Sequence, residues 1–138
     1  MAAFYDAGYA VLIPFGENTR YDLVVDDGRD LKRIQCKTGR LYDGAVVFNT
    51  CSYYAHHANP KAKSRDYIGQ IDAFAVYCPA TRGVYLVPID AVPNRRRGAL
   101  RVTPPRNNQR RRIRLAADYE IATVAVTPTA KLRATAGA

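Results

Sequence analysis

The chain has 138 residues, 48% of them hydrophobic, and carries Lys+Arg 21 against Asp+Glu 12 for a formal net charge of +9. That is enough chain and apolar material for a single domain with a buried core over 1–138, and the basic balance favours a polyanion met through phosphate contacts and counterion release. The three cysteines, Cys36, Cys51 and Cys78, form no CxxC, which argues against a zinc site and reads as reduced core residues of a cytoplasmic protein. The apolar run 10–15 is too short to span a bilayer, and residues 1–8 lack the basic region and cleavage site of a signal peptide.

In chain order, residues 1–6 (MAAFYD) read as the last turn or two of a helix ended near Gly8. YAVLIP at 9–14, apolar throughout and closed by proline, reads as a first, buried strand. GENTR at 16–20 is a loop. Residues 21–37 (YDLVVDDGRDLKRIQCK) read as a β-hairpin, two alternating runs joined by an acidic turn whose Asp27-Gly28 pair supplies a positive φ. Strand periodicity puts Arg33, Gln35 and Lys37 on one face of the second run, with Asp22 on the neighbouring strand within reach.

Two readings of Asp22, Gln35 and Lys37 stand on spacing alone. In the first, Asp22 is a strand-edge acid and Lys37 a snorkelling surface lysine. In the second, the carboxylate and one more side-chain oxygen hold a hard divalent cation, and the lysine serves an attacking water and offsets charge on a phosphorane. Glu17, in the preceding loop, is either an extra acid for this site or a loop carboxylate paired with Arg20.

Residues 38–44 (TGRLYDG) read as a turn and AVVFN at 45–49 as a strand. Thr50, Cys51 and Ser52 follow, the Thr50 and Ser52 hydroxyls having either a capping or turn role or a contact with phosphate. Tyr53, Tyr54, His56 and His57 form an aromatic loop, the adjacent histidines diverging too far to pair on a metal. The basic stretch 59–70 reads as a loop with a short helical turn along a phosphate backbone. IDAFAVY at 71–77 and VYLVP at 84–88 form a second hairpin, with Asp72 either a cap or a support for Lys37.

Residues 94–114 hold nine arginines and no lysine, and arginine offers phosphate or guanine a planar fork that lysine lacks. Arg95, Arg96, Arg97, Arg106, Arg110, Arg111 and Arg112 are candidate DNA contacts, the alternative being a solvated basic arm. Residues 116–126 suggest an edge strand, and 127–138 a frayed tail.

The stretches PFGENTRYDLVVDDGRDLKRIQCKTGR, VVFNTCS, IDAFAVYCP and VYLVPID together resemble the PD-(D/E)XK endonucleases. Within them they resemble the bacterial subfamily that includes a group I intron-encoded homing endonuclease and is related to Holliday-junction resolvases. The resemblance covers roughly positions 8 to 120. It implies an α/β (α+β) restriction-endonuclease-like αβββαβ core, a mixed sheet of four to six strands with flanking helices. It puts the first motif acid on Asp22, the (D/E) position on Gln35, where an amide departs from the superfamily consensus but fits the subfamily's QxK variant, and the motif lysine on Lys37. The backbone carbonyl of Cys36 joins Asp22 and Gln35 as a metal ligand. Asn107 and Gln109 match subfamily positions on the DNA side.

The activity implied is hydrolysis of double-stranded DNA with Mg²⁺, or Mn²⁺ in its place, by a homo-oligomer, dimer or tetramer, since one site cuts one strand. The resemblance also implies a glutamate on the first helix. Its position falls just before Met1, so the first helix reads as truncated and the chain as impaired, with Glu17 or Asp6 as weak substitutes. The alternatives are a catalytically impaired DNA-binding remnant and, last, a basic RNA-associated protein.

Overall fold

Apolar runs and tight turns make strands the dominant regular structure of this molecule, and the computed structural model describes residues 1–54, 63–107 and 109–124. In chain order the elements are helix α1 (Ala2–Asp6) and strands β1 (Ala10–Leu12), β2 (Leu23–Asp26), β3 (Leu31–Thr38), β4 (Arg40–Tyr42), β5 (Ala45–Asn49), β6 (Cys51–Tyr54), β7 (Lys63–Asp66), β8 (Ala73–Cys78), β9 (Gly83–Pro88) and β10 (Arg97–Arg101). A 3-10 turn at Ala116–Tyr119 leads into helical residues at 121–124.

The main sheet runs β1-β2-β3-β8-β9, five strands as expected from four to six. Its pairs are antiparallel except β3 and β8, which run parallel with Gln35 beside Phe74 and Lys37 beside Val76. β8 is buried on both faces. On one face its small Ala73 and Ala75 leave room for Phe4 of α1, which packs with Tyr9, Leu23, Val25, Ile34 and Leu86. A helix of five residues is marginal by itself, so Phe4, buried and edge-to-face with Tyr9 at 5.6 Å, is what docks it. On the other face Phe74, Val76, Cys78 and Val87 join Val46 and Phe48 of β5 and Leu100 of β10. That second core holds the three-stranded sheet β10-β5-β4 against the main one, and β6 pairs with β7 alongside.

Turn chemistry sets the central hairpin. Asp26 Oδ1 accepts from the Gly28 amide at 2.8 Å, Asp27 Oδ1 accepts from the amides of Arg29 and Asp30, and Gly28 takes a φ of 86°. Lys32 Nζ lies 2.8 Å from Asp27 Oδ2. The Lys32 bond first, and then the turn amides, hold the Asp27 carboxyl at about 2 against an ordinary 3.8. A carboxyl depressed in the folded state adds stability above its unfolded value and loses it as pH falls through its folded one. Asp27→Asn is therefore expected to lower the urea midpoint at neutral pH, and its deficit against wild type to close as pH drops from about 4 to about 2. A deficit constant across that range would mean the carboxylate charge is not its source.

Several sequence expectations are corrected. Residues 9–14 are not a buried strand: β1 spans three residues at the sheet edge, and Leu12 and Ile13 are exposed. The 38–44 turn is β4 followed by an Asp43-Gly44 loop with φ of 45° and 70°, the left-handed pair that a two-residue hairpin needs. Cys51, Ser52 and Tyr53 lie in β6, and the basic stretch contributes β7. His56 and His57 lie outside the described residues, as do 127–138. The arginine-rich segment is no detached arm, because β10 within it pairs with β5 and buries Leu100. Residues 116–124 form the 3-10 turn and helix rather than an edge strand. Cys51 and Cys78 are buried as expected, but Cys36 is exposed. Among the described residues no helix lies between β3 and β8; strands β4 to β7 carry the chain across.

Candidate active site

Leu23 sits opposite Ile34, and the Asp22 amide prolongs the β2–β3 ladder by one bond, donating to the Ile34 carbonyl at 2.8 Å. That bond delivers the Asp22 carboxylate to the second half of β3. Asp22 Oδ2 accepts from the Cys36 amide at 2.7 Å and from Gln35 Nε2 at 2.8 Å, and the same Nε2 lies 3.4 Å from the Cys36 carbonyl oxygen. Asp22, Gln35 and the Cys36 backbone thus meet at one point, as their alternation along the strand requires.

This donor set fits a hard cation. Turning over the Gln35 amide, whose oxygen and nitrogen occupy equivalent positions, puts Oε1 where Nε2 lies. A carboxylate, an amide oxygen and a backbone carbonyl then face a common centre, and oxygen donors are what Mg²⁺ or Mn²⁺ take. Among the described residues no three of His, Cys, Asp and Glu cluster for a metal, and the donors brought together here are one carboxylate and two neutral oxygens.

Lys37, one pleat further on the same face, is tied elsewhere. Its Nζ donates to the Tyr67 hydroxyl at 3.1 Å and the Cys51 carbonyl at 3.4 Å, and stands 4.8 Å from the Tyr67 ring centroid. The Arg20 guanidinium lies over the same ring at 4.1 Å. Arg20 also donates to Ser52 Oγ at 2.8 Å, to the Asp66 carbonyl at 2.7 Å and to Gln70 Oε1. Neither Tyr67 nor Arg20 stands out in the sequence. The available signal was an aromatic isolated in the polar run 63–70 and an arginine two residues before Asp22.

The other predicted residues are dispersed. Glu17 is exposed in its loop, and among the described residues no hydrogen bond brings it to the Asp22 cluster. Asp72 neither caps a strand end nor supports Lys37: its carboxylate accepts the Arg33 amide at 2.7 Å and forks the Arg33 guanidinium at 3.1 Å, clamping β3 beside β8. The Arg33 bond holds the Asp72 carboxyl below the usual range. The Cys36 residue is exposed, yet desolvation around its sulfur, and then the Asp22 charge, push the thiol up. A raised thiol is a poor nucleophile.

Arg95 pairs with Asp66 at 3.6 Å, Arg96 accepts the Thr50 amide through its carbonyl, and Arg97 faces Asn49 across the β5–β10 ladder. Arg96 adjoins Cys51, whose carbonyl receives Lys37, since Cys51 Sγ donates to the Arg96 carbonyl at 3.8 Å. Arg106 and Asn107 are exposed, with Asn107 Oδ1 accepting the Gln109 amide at 3.4 Å. Gln109 and Arg110 line a cleft of about 440 Å³ with Arg101, Pro104 and Ile113, and Arg111 and Arg112 are exposed beside it.

A mixed five-stranded sheet bearing an acid at the mouth of one strand and an amide-x-lysine on the next is a restriction-endonuclease-like core. The chain belongs to the PD-(D/E)XK endonuclease family, whose model matches residues 1–122. Among solved structures it is similar to a bacterial homing endonuclease, I-Ssp6803I, at 22% identity and a TM-score of 0.68, over 96% of this chain and 90% of that one. Comparison with the curated proteins gives no match. Among the described residues no helix is long and apolar enough to cross a membrane.

Proposed function

We propose that this protein is a metal-dependent endonuclease of double-stranded DNA, using Mg²⁺ with Mn²⁺ as a substitute, similar in action to a homing endonuclease. The observation that carries this reading is the meeting of Asp22, Gln35 and the Cys36 carbonyl one pleat from Lys37. Asp22 and Gln35 with the Cys36 carbonyl hold the cation. When bound, the cation acidifies water and offsets charge on the phosphoryl oxygens. Lys37 Nζ orients the attacking water and offsets the charge that develops in the transition state. Arg95, Arg96, Arg97, Arg106, Arg110, Arg111 and Arg112, with Asn107 and Gln109, track the duplex. A double-strand break requires two such sites, hence a dimer or tetramer.

A second reading, a binding remnant with impaired catalysis, is favoured by the charge of the site. Gln35 is neutral, and α1 carries no acid in its first turn. Mg²⁺ dehydrates reluctantly and is held poorly by one carboxylate. Incubation with supercoiled plasmid, with Mg²⁺ and with chelator, separates the two. Metal-dependent nicking or linearisation supports the nuclease, and a mobility shift without cutting selects the remnant. Neither shift nor cutting overturns both.

The arginines should supply sequence-tolerant affinity. Replacing Arg110, Arg111 and Arg112 together by glutamine is expected to flatten log K against log salt by about 0.9 for each phosphate no longer neutralised. An unchanged slope would remove them from the interface.

A further inference from the structure

Two parts of the candidate site reach the same buried ring. Tyr67 is 4% exposed, stands edge-to-face to Phe74 at 5.7 Å, and is held from its backbone by the Gln70 and Ile71 amides donating to its carbonyl. The ring is therefore anchored in the core while its hydroxyl and π-face meet the site. Lys37 uses the hydroxyl, at 3.1 Å, its Nζ standing 4.8 Å from the centroid. Arg20, two residues before Asp22, lies over the same ring and is riveted to Ser52, Asp66 and Gln70. The aromatic quadrupole attracts the Arg20 guanidinium over its face, and the hydroxyl with the Cys51 carbonyl keeps the Lys37 ammonium in place.

We infer that Tyr67 is the positioning residue of this site, fixing the Lys37 ammonium and, through Arg20, the segment that presents Asp22. The inference rests on the nuclease reading above for its kinetic consequence only. A lysine carries a four-carbon stem with many rotamers, and one left in solvent samples most of them. Bonded to a buried ring, Lys37 approaches the phosphate from a single direction, and misplacement by about 1 Å costs on the order of a hundredfold in rate. Among the described residues no hydrogen bond joins Tyr67 to the three oxygen donors, so its effect passes through Lys37 and Arg20.

The test compares Tyr67→Phe and Tyr67→Leu by single-turnover cleavage, duplex Kd, thermal midpoint and the proton shift of the Lys37 ε-methylene. Tyr67→Phe keeps the ring and drops the hydroxyl, and is expected to slow cleavage about tenfold with Kd within about twofold. Tyr67→Leu removes the ring as well and is expected to slow cleavage about a hundredfold. The ring-current shift of the Lys37 ε-protons should persist in Tyr67→Phe and vanish in Tyr67→Leu. A tyrosine that merely fills space would lower the thermal midpoint and leave folded protein cutting at the wild-type rate; that result overturns the inference, as does a parallel loss of binding and cutting. Should the wild type fail to cut, the nuclease reading falls, and the Lys37 shift still decides: no change in Tyr67→Leu overturns the positioning role. If Tyr67→Leu does not fold, Tyr67→Phe decides by its cleavage rate at unchanged Kd.

Discussion

Asp22→Asn is expected to abolish metal-dependent cleavage while the protein stays folded. The asparagine has the shape of the aspartate and keeps one carbonyl oxygen for the Cys36 amide, which Asp22 now receives at 2.7 Å. The fold therefore loses little, since a surface hydrogen bond contributes about 1 kcal/mol and water can replace it. The proposed metal site would lose the carboxylate among its three donors, because Gln35 and the Cys36 carbonyl are neutral. A hard dication in a neutral oxygen site of this kind competes poorly with its own hydration shell. Calorimetric titration with Mg²⁺ should show binding to the wild type and none to Asp22→Asn, and plasmid cleavage should fall by at least about a thousandfold, on the scale of losing a principal electrostatic group. Retained cleavage with Mg²⁺ would place the metal elsewhere in the molecule.

Lys37→Ala is expected to remove on the order of a hundred- to ten-thousandfold of the cleavage rate, the range for a positioned proton-transfer or charge-stabilising side chain. Duplex affinity should change only a few-fold, because a single cation is removed from a surface that meets the phosphates with many. The separation of the two effects follows from differential binding: a group that acts on the transition state raises kcat without tightening the ground-state complex. The structure sharpens this expectation, since the hydrogen bonds of Lys37 Nζ go to Tyr67 and the Cys51 carbonyl and, among the described residues, none joins it to Asp22. Its loss therefore leaves the donor set of Asp22, Gln35 and Cys36 undisturbed, and Mg²⁺ affinity should be unchanged. If binding and cutting fall by the same factor, Lys37 is a positioning contact for the DNA backbone and nothing more.

Asp22→Asn and Lys37→Ala together divide the site into two halves with different signatures, one lost in metal titration and one lost only in rate. The Arg33–Asp72 clamp belongs to neither half. It couples β3 to the turn before β8, and its role is to hold the parallel pair that carries Gln35 and Lys37.

The residues by themselves determined the central hairpin, β5, and the β8–β9 pair. Their signals are local: period-two alternation and an Asp-Gly turn for the hairpin, and short continuous apolar runs bounded by turn residues for β5, β8 and β9. The common face of Arg33, Gln35 and Lys37 was legible for the same reason, as strand geometry projects alternate residues together. Tertiary structure alone decided the rest. RLY, KSRD and RGALR become strands β4, β7 and β10 because a partner's backbone accepts them, and side-chain pattern says little about short polar edges whose pairing is long-range. That Cys36 is exposed while Cys51 and Cys78 are buried is a fact about the neighbours each meets and not about cysteine. Lys37 meets Tyr67, thirty residues on, and Arg20 meets the same ring from before the hairpin. Such side-chain contacts depend on where the sheets pack in three dimensions, and no spacing along the chain encodes them.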